Sequence, residues 1–482
     1  MVKKIGTLNE EIVAAIDNVK DTVNRDKWAL KYHIMPKIGW LNDPNGLCYF
    51  KGEYHVFYQY SPLDAKGGLK FWAHYKSKDL LRWDDLGIAL YPDSEFDRDG
   101  VYSGSALVEG EELYLFYTGN VKEEGNYDYL LTGRQQNVIC VKSLDGINFG
   151  EKKLVLTNKD FPKNFTLHVR DPKVWKENNN YYMVLGARGK DNKGYVLLYK
   201  SKDLVDWNLQ SIPAGGLEGL GYMWECPDFF TLDETDVLII SPQGIPAKGY
   251  LYNNIHQSGY LLGSFNENKK NFNYQRFIEL DRGFDFYAPQ TFKDSKGRRI
   301  MIAWMGLTDV AQYSNPTIKN SWQHALTMPR ELFIVNEKII QRPIVEMEEL
   351  RKNHIAIKTR INGEKVFKEL KGEILELKLE LEKLSGDFQL IMRNDCKLIF
   401  TQEEQILELS LGNSGYGRVK RIVKLDKLQS IWIFSDTSSI EIFINGGQEV
   451  FTTRFYQWGE DEGVKVTCNG IVSINKWGIR SI

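Results

Sequence analysis

No stretch of the chain approaches 18 consecutive apolar residues, so no helix is expected to span a bilayer. An excess of one charge is also lacking. The 62 basic and 64 acidic residues leave a formal charge of −2, which provides no basic patch for nucleic acid and no polybasic membrane anchor. Cysteine is sparse: Cys48, Cys140, Cys226, Cys396 and Cys468 are odd in number and scattered, with no Cys-x-x-Cys pair, which argues for a reducing cytosol and against a zinc site. The seven histidines form no His-x-x-x-His pair, so neither a metal nor a cofactor is expected. Glu10, Glu11, Asp17 and Asp21 stand where a signal peptide would be apolar, so the expected location is cytoplasmic. These absences leave a small neutral or mildly anionic molecule as partner, without nucleic acid or membrane; a homodimer stays open.

Aromatic residues are plentiful, at 13% with 12 Trp and 25 Tyr, which suits both β-structure and stacking against sugar rings. At 482 residues the chain exceeds the roughly 250–300 at which a single core stops growing, so more than one domain is expected. Leu8, Ile12, Ile16, Val19 and Val23 predict an amphipathic packing helix across about residues 8–30. From residue 50 the pattern becomes short aromatic and β-branched runs between Gly, Asn and Asp clusters, the signature of strands. Five such runs, at 54–58, 113–117, 181–185, 236–240 and 300–304, end 59, 68, 55 and 64 residues apart. A second series, Lys-Ser-x-Asp-x-x-x-aromatic, starts at Lys76, Lys142 and Lys200 with offsets of 66 and 58. A period near sixty built of strands predicts radial blades, because a small antiparallel sheet buries its faces only against neighbours. The expected fold is therefore all-β: a five-bladed propeller across 31–345 with the five runs innermost, after an N-terminal helical extension of 1–30. Residues 346–482 read as a Glu/Lys-rich linker and then an antiparallel β-sandwich from Glu373, with Asn445-Gly446 as a hairpin turn.

Three acidic segments carry the chemistry: Trp40-Leu41-Asn42-Asp43-Pro44-Asn45-Gly46, Arg170-Asp171-Pro172 and Trp224-Glu225-Cys226-Pro227-Asp228. Asp43, Asp171 and Glu225 are 128 and 54 residues apart, but they belong to different repeats, and the mouth of a propeller brings different repeats together. Glycosidic cleavage needs one carboxylate to attack or stabilise an oxocarbenium-like carbon and a second carboxyl to protonate the departing oxygen. Asp43 sits in what reads as a polar turn that would keep it ionised, whereas Tyr222, Met223 and Trp224 before Glu225 would raise a carboxyl pKa. The plain alternative for Asn-Asp-Pro-Asn-Gly is a turn without function. A Cys226 nucleophile is disfavoured, since no histidine lies near it in sequence.

These segments resemble glycoside hydrolase family 32, the β-fructofuranosidases, and most of all its bacterial members that act on sucrose 6-phosphate. The likeness runs from about His33 to the C-terminus and includes Phe57-Tyr58-Gln59-Tyr60, Tyr102-Ser103-Gly104-Ser105, Asp285-Phe286-Tyr287-Ala288-Pro289-Gln290 and Trp304-Met305-Gly306. Leu41 stands where Met is frequent, Phe71-Trp72-Ala73-His74 where Trp-Gly-His is common, and Tyr102 where Phe is usual. The resemblance implies a five-bladed propeller followed by a β-sandwich, with Asp43 as nucleophile, Glu225 as acid/base and Asp171 as transition-state stabiliser. It implies a sugar site built from Trp40, Leu41, Asn42, Gln59, Trp72, Tyr102, Ser103, Arg170, Trp224 and Trp304. Arg170 is suited to hold a neighbouring carboxylate. The implied reaction is hydrolysis of terminal β-D-fructofuranosyl bonds with retention, in sucrose 6-phosphate or sucrose, without metal or cofactor. Arg134, Arg188 and Lys248 are loop cations available to a phosphate. The competing readings are a fructan hydrolase or fructosyl transferase, an inverting arabinan- or xylan-cleaving propeller, and a propeller that binds sugar without cleaving it.

Overall fold

The computed structural model describes residues 5–266 and 270–482. The N-terminal helix, Ile5–Asn24, buries Leu8 and Ile12 against Phe71 and packs Val23 with Trp28, Trp322 and Tyr456. It ends short of residue 30 because the Asp26 carboxylate accepts the Trp28 N–H at 2.9 Å and the Trp322 indole N–H at 2.8 Å. A side chain that bonds its own backbone two residues on turns the chain out of the helix.

Five antiparallel sheets, each with a four-stranded meander, follow as the blades of a propeller. The first strand of each meander, Gly39–Phe50, Val101–Glu109, Phe165–Glu177, Met223–Leu232 and Tyr287–Lys293, lies innermost, and these five stand side by side around the central channel. Trp322–Gln323, inserted within blade five, pairs in parallel with Gly39 and Trp40 of blade one and ties the ring shut. The five apolar runs are therefore the second strands rather than the innermost ones. A second strand is covered on both faces by the adjacent blades, so it reads as continuously apolar, whereas an inner strand must present polar groups to the channel. The Lys-Ser-x-Asp signature marks the turn between third and fourth strands in blades one to three. In each, the Ser hydroxyl donates to the Asp (Ser77 to Asp79, Ser143 to Asp145, Ser201 to Asp203, at 2.9–3.0 Å), and the same Asp oxygen accepts two backbone N–H groups beyond it.

Every inner strand carries a β-bulge at the same height, where the register slips between Leu41 and Pro44, Val101 and Gly104, Arg170 and Lys173, Glu225 and Asp228, and Tyr287 and Gln290. Asp171, Cys226 and Ala288 adopt left-handed backbone there, at φ 64°, 48° and 47°, each followed by proline. A bulge tolerates the missing proline N–H and re-aims the side chain beside it. The expected Asn-Asp-Pro-Asn-Gly turn is thus a bulged stretch of strand.

The chain leaves blade five at Pro343 and enters a second β-structure. The Glu/Lys-rich stretch expected as a linker is itself a strand, Arg351–Phe367, paired along its length with Val464–Ile479. Its alternation is shallow because it forms an outer edge with most side chains in water. The long strands Leu375–Met392 and Val464–Ile479 run through both layers of a β-sandwich whose core includes Leu377, Leu390, Leu407, Ile433, Ile442 and Ile474. Asn445 and Gly446, at φ 49° and 70°, turn the hairpin between Ser439–Ile444 and Glu449–Arg454. Buried ion pairs join sandwich to propeller, Glu441 with Arg330 and Arg418 with Asp285, and Asp281 of the propeller holds Arg330 from its own side. His33 sits between Asp436 and Glu441, 2.9 Å from each.

Candidate active site

The bulges turn Asp43, Asp171 and Glu225 toward one mouth of the channel. The Cys226 thiol lies 3.6 Å from Asp43 Oδ2 and 3.7 Å from Asp171 Oδ2, and Glu225 is the residue before it. Asp43 Oδ2 accepts the Ser103 hydroxyl at 2.6 Å, and its Oδ1 accepts Asn42 Nδ2 at 3.3 Å. Asn42 and Gln59 complete a relay: Asn42 Nδ2 donates to Gln59 Oε1 at 2.5 Å, Gln59 Nε2 donates to the Ser103 hydroxyl at 2.8 Å, and the Trp40 indole donates to Asn42 Oδ1 at 3.1 Å. These four side chains come from blades one and two and hold a single carboxylate in one orientation.

Asp171 is fixed from the other side, its N–H bonded to Thr118 Oγ1 at 2.9 Å and its Oδ2 accepting the Cys226 N–H at 3.0 Å. Burial raises the Asp171 carboxyl, and the charges of Glu225 and Asp43 add to that against the opposing pull of Arg170 and the Cys226 N–H. Asp43 is raised for the same first reason, burial, with Glu225 adding and the Ser103 and Asn42 hydrogen bonds and Lys70 opposing. Asp43 therefore stands half-buried on a bulged strand and not in the open polar turn expected, and burial, not the turn, has the largest effect on its carboxyl.

Glu225 is the more strongly bonded acid. Arg170 Nε and Nη2 donate to its Oε1 at 3.1 and 2.7 Å, while the Tyr287 hydroxyl and Gln243 Nε2 donate to its Oε2 at 2.7 and 2.9 Å. Tyr287 and Gln243 escaped the sequence reading of the site, although Tyr287 stands within the quoted Asp285–Gln290 motif; Gln243 carried no signal. The apolar surround expected from Tyr222, Met223 and Trp224 does not form, because neighbours in a strand point to opposite faces. Trp224 is wholly buried with its indole on the Leu220 carbonyl at 2.7 Å. The same alternation buries Leu41, next to Asn42, in the core under blades one and five. Trp72 is likewise buried, bonded to the Tyr102 carbonyl at 3.0 Å and packed with Phe57 and Tyr117. These three support the wall and do not face the mouth. Trp304 is buried behind Trp40, its ring 5.8 Å away, and Trp40 and Tyr102 keep partly open faces.

Arg170 is itself positioned. Its Nη1 donates to His168 Nδ1 at 2.8 Å and to Gln136 Oε1 at 3.3 Å, and the other His168 nitrogen donates to the Tyr129 carbonyl at 3.1 Å. Burial and the repulsion of Arg170, Arg134 and Arg188 hold the His168 ring neutral, down to about 3. Arg134 opens the strand Arg134–Ser143 and Arg188 lies in Asn180–Gly189, so neither is a loop residue; Lys248 is an exposed turn residue. Asp228 points deeper into the channel, where Lys173 neutralises it at 3.1 Å. Among the described residues no helix is long and apolar enough to cross a membrane.

Residues 33–343 match the family model described as the glycosyl hydrolases family 32 N-terminal domain, and residues 346–478 match that of the family 32 C-terminal domain. A sucrose-6-phosphate hydrolase of Bacillus subtilis is 40% identical over 467 residues, 95% of each chain. The solved sucrose-6-phosphate hydrolase of Lactobacillus gasseri superposes with a TM-score of 0.87 at 30% identity, covering 97% of this chain and 96% of its own. A Bombyx mori family 32 β-fructofuranosidase superposes with a TM-score of 0.84 at 30% identity, with 99% of both chains covered.

Proposed function

The chain belongs to glycosyl hydrolase family 32, and from that premise we propose that it is a retaining β-fructofuranosidase whose preferred substrate is sucrose 6-phosphate. The observation that carries the reading is the convergence of two carboxylates, Asp43 and Asp171, on the Cys226 thiol, with a differently bonded third, Glu225, beside it. Unlike environments suit unlike roles. Asp43, locked by Ser103 and Asn42, attacks the anomeric carbon of the fructosyl unit. Glu225 delivers its proton to the bridging oxygen, and glucose 6-phosphate departs. Water then enters, Glu225 removes a proton from it, and attack on the fructosyl-enzyme frees fructose and restores Asp43. Asp171 accepts hydrogen bonds from ring hydroxyls that shorten as positive charge grows on the sugar. Asn42, Gln59 and Ser103 bind hydroxyls, with Trp40 and Tyr102 flanking the ring. A phosphorylated disaccharide is confined to the cell that made it, which goes with a cytoplasmic enzyme.

The test has two readouts. NMR of the first-formed fructose gives the β-anomer, and kcat/KM is higher for sucrose 6-phosphate than for sucrose. The α-anomer would replace this reading with an inverting one, and oligomer in place of free fructose at high sucrose would make the protein a transferase.

A further inference from the structure

Guanidinium groups buried elsewhere in this protein are gripped by carboxylates, as Arg282 by Glu449, Arg298 by Asp294 and Glu346, Arg330 by Glu441 and Arg418 by Asp285, or lie over rings of the core, as Arg299 over Phe230, Arg393 over Phe455, Arg421 over Phe284 and Arg454 over Trp322. Three cations stand at the active-site mouth instead. Lys70, Arg134 and Arg188 form no ion pair with any described residue, and the carboxylates of the site are held by other groups, Glu225 by Arg170 and Asp43 by Ser103 and Asn42. Arg134 Nε is buried with no hydrogen-bond partner, as are the Nε atoms of Arg299, Arg421 and Arg454, but of these four only Arg134 neighbours Tyr102 and Arg170 at the active-site mouth. Leaving a buried guanidinium donor unsatisfied is costly, and a ligand that supplies acceptors removes the cost.

Their positions separate them. Lys70 belongs to the nucleophile's side, with its Nζ 5.2 Å from the centre of the Trp40 ring and its charge felt by Asp43. Arg134 and Arg188 belong to the acid's side. Both lie close enough to His168, the ring that steadies Arg170 against Glu225, to depress its protonation. Arg134 neighbours Tyr102, and Arg188 lies 4.5 Å from the centre of the Tyr222 ring, tethered to Asn192 Oδ1 at 2.6 Å. A leaving group sits on the side of the acid that protonates it. Planar guanidinium forks match phosphate oxygens in pairs, which a single ammonium does not.

We propose that Arg134 and Arg188 form the phosphate clamp of the leaving sugar, holding the 6-phosphate of the departing glucose beside Tyr102 and Tyr222. The proposal rests on the reading of sucrose 6-phosphate as substrate. The clamp determines specificity rather than chemistry: it adds binding to the phosphorylated substrate that sucrose cannot use. Lys70 serves a separate end, offsetting negative charge around Asp43 whichever sugar is bound.

The experiment measures kcat/KM for sucrose 6-phosphate and for sucrose in the wild type, Arg134→Gln, Arg188→Gln, the double variant and Lys70→Gln. The ratio of the two constants falls about 10- to 100-fold in each arginine variant and further in the double, the scale of one or two lost charge-assisted hydrogen bonds. Inhibition by glucose 6-phosphate weakens in step, and Lys70→Gln lowers both constants while keeping their ratio. Sucrose turnover within each variant reports that it has folded. An unchanged ratio in the arginine variants, or a loss confined to Lys70→Gln, overturns the clamp while leaving the substrate reading intact. A wild type without preference for the phosphorylated sugar overturns both.

Discussion

Glu225 takes four hydrogen bonds from three side chains, two of them from Arg170, whereas Asp43 takes two from Ser103 and Asn42 and a long one from the Cys226 thiol. The partners of Glu225 are donors that can follow a proton leaving and returning, which a general acid requires twice per turnover. Those of Asp43 fix direction, which a nucleophile requires. Asp43→Ala is therefore expected to bring turnover to background with every substrate. Glu225→Ala is expected to lose about 10²- to 10⁴-fold with sucrose and to recover much of that with a fructosyl donor whose leaving group needs no proton. Steady-state rates on the two donors decide the matter; equal losses in both variants would contradict the assigned roles.

At the level of elements, the recurring device is a bulged inner strand with a proline after the re-aimed residue. Left-handed backbone at a non-glycine residue costs of order 1–3 kcal/mol and persists only where its surroundings over-determine it. Asp171, Cys226 and Ala288 meet that condition because each inner strand is wedged between its neighbours. Gly186 shows how little slack there is. It pairs with Arg170 across blade three, and a Cβ there would lie 2.0 Å from the Trp224 carbonyl oxygen of blade four. Gly186→Ala must push apart the two strands that carry Arg170 and Glu225. The expected result is a loss of about 1–3 kcal/mol in denaturant unfolding together with about a 100-fold fall in kcat, since an ångström of misplacement is enough. Full activity at reduced stability would show that the strands move without disturbing the pair.

Across the whole molecule, propeller and sandwich meet through buried charge. His33 is the titrating member: burial works against its proton, but hydrogen bonds to Asp436 and Glu441 outweigh that and lift it to about 9. Arg330 and the Met328 N–H face the same Glu441, and the Lys31 and Tyr32 N–H groups face the same Asp436. A histidine whose folded value lies above its unfolded value of about 6.5 contributes stability that is complete below 6.5 and is lost as pH rises through 9. The His33 contribution is on the order of 3 kcal/mol. Thermal melts of the wild type are expected to fall between pH 6.5 and 9, and His33→Gln is expected to flatten that dependence. A variant that keeps the same slope would assign the titration to another group.

Much of this was legible without coordinates. The sixty-residue period determined the blade count, because strands that recur at that interval bury their faces only by radial packing, and the acidic segments marked the inner strands that bear Asp43, Asp171 and Glu225. The Ser-x-Asp repeats were local for the same reason: a side chain bonding two or three residues ahead needs no partner from elsewhere. What only the tertiary structure decided lies across blades. The apolar runs at 54–58 and 300–304 looked innermost, since sequence records that a residue is covered and not by what. Leu41 and Trp224 looked like site residues because they adjoin Asn42 and Glu225, yet strand alternation turns them into the core. The hydrogen bonds of Tyr287 and Gln243 to Glu225 join residues far apart in the chain, and closing the ring is the step that creates them. Which acid is buried, and who donates to it, is a property of the assembled mouth: burial and hydrogen bonding depend on distances that no segment contains by itself.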